Sequence, residues 1–128
     1  MEKKTEIRDA AIALGNLLTE HKAQNVVVLD ISSNNTFADY FIIATTSSST
    51  HSQGLQRHIH EAIKPLGLEV FPTRRKIPDG EDWVLIDLGS IIIHLMTETA
   101  RRFYDLEKLW FGSPDLLHEE TEPASDPE

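Results

Sequence analysis

Cysteine is absent from this chain of 128 residues. That excludes disulfides, thiolate nucleophiles and cysteine metal sites, and it suits a reducing cytoplasm. Long apolar runs are absent too. None approaches the roughly 20 residues that a membrane span needs. The opening Met1-Glu2-Lys3-Lys4-Thr5-Glu6 has no apolar signal core, and its acids argue against a transit peptide. The expectation is a cytoplasmic protein without a membrane partner. Cations are scarce, with 12 Lys and Arg against 21 Asp and Glu and a net charge of -9. Gripping nucleic acid by summed charge is disfavoured, because phosphate binding depends on Lys and Arg displacing counterions. A basic protein is the better match.

Part of the acidity is local. His118–Glu128 holds five of the 21 acidic residues, two prolines and no Lys or Arg. Removing those five charges takes -9 to about -4, so the remainder is only mildly acidic. The organisation expected is one domain over residues 1–112 and an acidic, disordered tail over 113–128. No internal repeat is visible.

Ile7, Ala10, Ala11, Leu14, Leu17 and Leu18 keep helical spacing and predict a helix from about Glu6 to His21. Val26–Ile31 and Tyr40–Thr45 read as strands. Thr50 and Gln53 make a capping-box pattern at the start of a second helix, which Pro65 and Gly67 end. Leu68–Phe71 reads as a short strand. Thr97 caps a last helix that breaks near Asp105 and stops at Gly112-Ser113-Pro114. The order predicts a single-domain α/β sandwich: a mixed five-stranded sheet with helices packed on one face.

The most informative segment is Trp83–Trp110. Gly89-Ser90 separates two β-rich runs, and Gly can adopt the positive φ of a two-residue hairpin turn. That turn sets Trp83 opposite Met96, Leu85 opposite His94 and Asp87 opposite Ile92. Alternation then sorts the faces. Val84, Ile86, Leu88, Ile91, Ile93 and Leu95 form an aliphatic face, expected under the helices. Trp83, Leu85, Asp87, Ile92, His94 and Met96 form a mixed face suited to protein recognition.

Other constellations are weaker. Ser47-Ser48-Ser49 before a helix resembles an anion-binding N-terminus, but no Walker lysine or glycine-rich fingerprint accompanies it. His51 and His58 share a helical face with Leu55 between them, which predicts no metal site. Ser90, His94 and Asp87 are too spread along the hairpin for a triad. Arg74-Arg75-Lys76 reads as a solvated loop, with a peripheral RNA contact as the alternative. No catalytic residue, cofactor or metal is expected.

Several segments together carry a family resemblance. They are Val28-Leu29-Asp30; Ala38-Asp39-Tyr40-Phe41-Ile42-Ile43-Ala44-Thr45 with Ser48 and His51; Asp82–Gly89; Ile93-His94-Leu95; and Arg102-Phe103-Tyr104-Asp105-Leu106-Glu107-Lys108-Leu109-Trp110. Over residues 5–111 the chain resembles the ribosomal silencing factor family, also called Iojap-related or RsfS proteins. It differs at Thr46, where glycine is common, at Ser90, where aspartate is frequent, and in the basic loop Arg74–Lys76.

The resemblance implies a nucleotidyltransferase-like sheet without the carboxylate signature of active transferases, hence a protein that is not an enzyme. It implies binding to the large ribosomal subunit through its fourteenth protein, on the intersubunit face. Small-subunit joining would then be blocked and translation repressed during starvation. The alternatives are a large-subunit assembly factor and, less favoured, a nucleotide-binding transferase-fold enzyme. On this reading Trp83 and Met96 are apolar anchors, Asp87 and Glu107 face cations on the ribosomal protein, and His94, Arg101, Arg102 and Tyr104 extend the patch. A homodimer of free protein through the Trp83 face is a competing use of the same surface.

Overall fold

Among the described residues, four strands form one mixed sheet in the order β1-β2-β4-β3. The structure is a computed structural model that describes residues 2–32, 38–72, 82–105, 108 and 113–117. The elements run α1 (Glu2–Glu20), β1 (Gln24–Asp30), β2 (Tyr40–Thr46), α2 (Ser49–Ile63), β3 (Trp83–Asp87), β4 (Ile91–Thr97) and α3 (Glu98–Tyr104). β1 pairs antiparallel with β2, β2 parallel with β4, and β3 antiparallel with β4.

The β3–β4 hairpin adopts the register that its turn predicts, with Trp83 opposite Met96, Leu85 opposite His94 and Asp87 opposite Ile92. Gly89 takes φ +90, and the Leu88 N–H donates to the Ile91 carbonyl at 2.8 Å. The aliphatic face behaves as expected. Ile86, Leu88, Ile91, Ile93 and Leu95 are buried with Ala10, Leu14 and Leu18 of α1 and Leu55, Ile59 and Ile63 of α2. Each such aliphatic side chain contributes about 1.5–3 kcal/mol by leaving water. α1 lies close to the sheet at Gly15, where a Cβ would come within 2.6 Å of Val28 Cγ2.

Three expectations need correction. Helices do not cover one face only: α3 lies on the opposite face, over a second core of Leu29, Ile31, Phe41, Ile43, Ile92, Met96 and Ala100. β2 is consequently buried along its whole length. The five-stranded, nucleotidyltransferase-like sheet reduces to four strands, because in Leu68–Phe71 only Phe71 forms a bridge, to Asp87. A single bridge, with the Phe71 N–H on the Asp87 carbonyl at 2.8 Å, does not make a strand. Finally, Ser48, not Thr50, caps α2, its hydroxyl accepting from the His51 N–H at 3.0 Å.

The folded part also outruns the expected boundary at residue 112. Pro114 accepts from the Asp30 N–H at 2.9 Å, and the Leu116 N–H donates to the Val28 carbonyl at 2.7 Å. The Asp115 carboxylate accepts from the Val28 and Leu117 N–H groups at 3.1 and 3.2 Å. Leu116 is buried in the first core. Residues 113–117 thus cover the outer edge of β1, where unpaired backbone groups would otherwise face water. Residues 118–128, the basic loop Arg74–Lys76, and Leu106, Leu109 and Trp110 of the expected last helix lie outside the described residues.

Candidate docking surface

The second face of the sheet is built around the direct passage from β4 into α3. Thr97 ends the strand and caps the helix, its hydroxyl accepting from the Ala100 N–H at 3.1 Å. Ala100 then points into the second core, which fixes the phase of α3. Arg101 and Tyr104 fall at its flanks, half-buried, and Arg102 and Phe103 face solvent. The helix stops at Asp105, which takes φ 48 and donates its N–H to the Arg101 carbonyl at 2.9 Å.

Five rings run from this core to the surface. The His94 imidazole packs against Phe41 at 4.7 Å and against Trp83 at 5.8 Å between ring centres. Trp83 meets Tyr104 at 5.0 Å, and Tyr104 meets Phe103 edge-on at 4.8 Å. Edge-to-face and tilted contacts at such spacings suit the aromatic quadrupole. Phe103, the outermost ring, is 77% exposed. A large apolar side chain so placed, beside the partly covered Trp83, Leu85 and Tyr104, is the clearest apolar feature of this face.

The predicted site residues separate into groups. Trp83 and Tyr104 come together in the aromatic series. Arg102 is nearby and exposed, paired with Glu98 at 2.9 Å in a solvated i,i+4 bridge that contributes little stability. Arg101 is tethered to the sheet, its Nη1 donating to the Thr45 hydroxyl at 2.9 Å. Met96 is 0% and His94 2% exposed, so neither can touch a partner. α3 and the second core cover them, which corrects their assignment as contact residues. Asp87 lies at the opposite end of β3 from Trp83, roughly 13 Å along the strand. Its carboxylate accepts from the Gly89 N–H at 2.9 Å and braces the turn. Glu107 lies outside the described residues.

Phe103 was missed. Its signal was helical phase: once Ala100 is inward, residues 103 and 104 straddle that direction, and only one of two aromatics can follow it in.

The remaining constellations are structural. His51 Nδ1 accepts from the Ser47 N–H at 3.0 Å, so its Nε2–H donates to the His21 carbonyl at 2.9 Å. His58 stacks on His21 at 3.7 Å. These imidazoles tie the end of α1 to the start of α2. No group of three or more His, Asp or Glu among the described residues is arranged to hold a metal. No helix among them is long and apolar enough to cross a membrane. A groove of about 440 Å³ opens beside the hairpin turn, lined by Ile7, Leu68, Glu69, Phe71, Leu88 and Ser90. Among the described residues, no cation lines it to receive a phosphate.

The described residues thus form a small α/β sandwich with a graded aromatic cluster on one face. The model of the family described as "Ribosomal silencing factor during starvation" matches residues 4–128. The chain belongs to the ribosomal silencing factor family. It is 36% identical over 101 residues to the ribosomal silencing factor of Treponema pallidum, an alignment covering 79% of this chain and 89% of that one. It is 32% identical over 98 residues to the mouse protein named mitochondrial assembly of ribosomal large subunit protein 1, covering 76% of this chain and 43% of that one. A crystal structure of a Chromobacterium violaceum protein superposes with a TM-score of 0.69 at 27% identity, covering 86% of this chain and 88% of that one.

Proposed function

We propose that this protein represses translation by occupying the intersubunit face of the large ribosomal subunit through its fourteenth protein, so that the small subunit cannot join. Family membership supplies the ribosome. The observation that carries the docking face is the exposed Phe103 at the end of the series through Tyr104 and Trp83. Aromatic anchors near the centre of an interface contribute most of its affinity, and charged groups around them set orientation. Arg101 and Arg102 border the anchors, with Glu107 following in sequence. Asp87 belongs to the periphery of this surface.

The mechanism requires no chemistry, only occupancy. A domain of about 100 residues has a radius of gyration near 13 Å, enough to separate two surfaces that must meet. The degree of repression then follows concentration and affinity. The setting is the cytoplasm, and free protein is available to pair through the same apolar face.

Two measurements test the reading together. In a gradient of lysate at low magnesium, the protein should travel with free large subunits. Added to purified subunits, it should suppress formation of the joined ribosome in proportion to occupancy. Protein that remains at the top of the gradient, or binds without affecting joining, contradicts it. The latter result favours the second reading, large-subunit assembly, which the name of the mouse relative motivates.

A further inference from the structure

We infer that His94 is a positioning residue for the docking surface, acting on the partner only through Trp83. The inference rests on the docking reading above. At 2% exposure, His94 is covered by its own protein and does not reach a partner. Its Nδ1 lies 3.1 Å from Trp83 Nε1. An indole N–H is a donor only, so Nδ1 must present its lone pair and accept.

His94 is well placed to act as a fixed acceptor. It lies on an inner strand, held by backbone ladders on both sides, opposite Ile43 of β2 and Leu85 of β3. Phe41 backs its ring at 4.7 Å. Trp83, by contrast, is the first residue of an edge strand. Its ring packs against the second core from one side, and the directional bond to His94 fixes the orientation of the indole N–H. That orientation sets the indole 5.0 Å from Tyr104, which in turn meets Phe103.

The row that His94 occupies is otherwise apolar, with Ile92 before it and Met96 after it, both buried. A leucine there would avoid the desolvation that an imidazole costs. The imidazole supplies what leucine cannot, an acceptor aimed at the indole. Holding the anchor in its bound orientation raises affinity by removing ordering costs from the docking step.

The test compares His94→Asn with His94→Leu in the full chain. Asparagine Oδ1 stands as many bonds from Cα as imidazole Nδ1 and accepts a hydrogen bond. Leucine has a similar outline and no acceptor. The first readout is the Trp83 indole ¹⁵N–¹H resonance, separated from that of Trp110 by its loss in Trp83→Phe. The second is affinity for purified large subunits by sedimentation. Wild type and His94→Asn should share a hydrogen-bonded, slowly exchanging indole signal and bind alike.

In His94→Leu the signal should move upfield and exchange faster. Affinity should fall about tenfold, as expected for loss of one ordering hydrogen bond. A folded His94→Leu that binds like wild type overturns the inference, as does a His94→Asn that keeps the indole bond but loses binding. Should His94→Leu fail to fold, Trp83→Phe provides the same comparison from the donor side. It should weaken binding in wild type and add nothing to His94→Asn beyond that loss. Undiminished binding by Trp83→Phe also overturns the inference. Wild type that never sediments with large subunits refutes the docking reading itself, a result distinct from these.

Discussion

Lys22 and Gly67 occupy the same position in two equivalent helix-ending turns. After α1, the Lys22 N–H donates to the Thr19 carbonyl at 3.1 Å and the Ala23 N–H to the Leu18 carbonyl at 3.0 Å. After α2, Gly67 donates to Lys64 and Leu68 to Ile63, both at 3.0 Å. The pivotal residue has φ +76 in one turn and +75 in the other. Such a turn favours glycine, because a Cβ in the left-handed region crowds the following carbonyl. Lys22 therefore carries strain that Gly67 does not. Lys22→Gly should stabilise the protein by about 0.5–1 kcal/mol, with its extra unfolded-state freedom offsetting part of the relief. Urea unfolding should show a higher midpoint with an unchanged slope.

Phe103 separates docking from folding more cleanly than Trp83. Trp83 packs against the second core, so its removal disturbs stability as well as any interface. Phe103 is 77% exposed and touches Tyr104 by one edge. Phe103→Ala should leave the melting temperature within about a degree or two, as surface substitutions do. On the docking reading it should weaken large-subunit binding by about 1.5 kcal/mol, or more than tenfold. Unchanged affinity in sedimentation would exclude this ring from the interface. Arg102→Ala is the matched control for stability, because its bridge to Glu98 is solvated.

Much of the fold was legible because side-chain alternation and a two-residue turn together determine register. Gly89-Ser90 sorted Trp83–Met96 into two faces, and the hairpin has that register. Alternation does not reveal what lies on top of a face. The mixed row Ile92-His94-Met96 matched a docking surface in composition, yet α3, seven residues long, and the flanking aromatics cover it. A helix that short shows too little periodicity to announce its inner side. Of the predicted residues, Met96 and His94 lie beneath that cover, Trp83 and Tyr104 stay nearer the surface, and Phe103, which was not predicted, lies outermost. The fifth strand failed for a related reason. Leu68–Phe71 has strand-forming residues, but pairing depends on a neighbour's free edge, and only Phe71 reaches one.

Tyr40 should make the protein sensitive to alkali. Burial raises the pKa of its phenol above the ordinary tyrosine value of 10.0, Asp30 adds to the rise, Arg8 opposes it, and Asp39 and Asp9 reinforce it. A raised value means that the native state holds the proton more tightly than the unfolded chain. Its stabilising contribution is thus complete below the unfolded value of about 10 and is lost as pH climbs through the folded value. Melting temperature should decline above that point, and the decline should be shallower in Tyr40→Phe. Spectrophotometric titration of the native protein should show a late-ionising tyrosine that disappears in the same variant. Superimposable alkaline profiles for the two proteins would contradict the assignment.

Residues 113–117 should be part of the folding unit, whereas the acidic stretch after them is proposed to be dispensable for folding. The short segment contributes buried Leu116, the backbone bonds of Pro114 and Leu116 to β1, and the Asp115 carboxylate on the Val28 N–H. Ending the chain at 112 removes all of these and bares the β1 edge. The loss should be about 2–4 kcal/mol, the scale of one buried leucine together with one or two unsatisfied backbone groups. Ending the chain at 117 retains every one of those contacts and removes five acidic residues. Its melting temperature should match the full chain or rise slightly as self-repulsion falls. Chemical denaturation of the two truncations separates these effects: equal stability of both would mean that the segment adds nothing to the sheet it borders. An exposed β1 edge also invites pairing between chains, so the 112-residue form should self-associate with rising concentration in sedimentation where the 117-residue form does not.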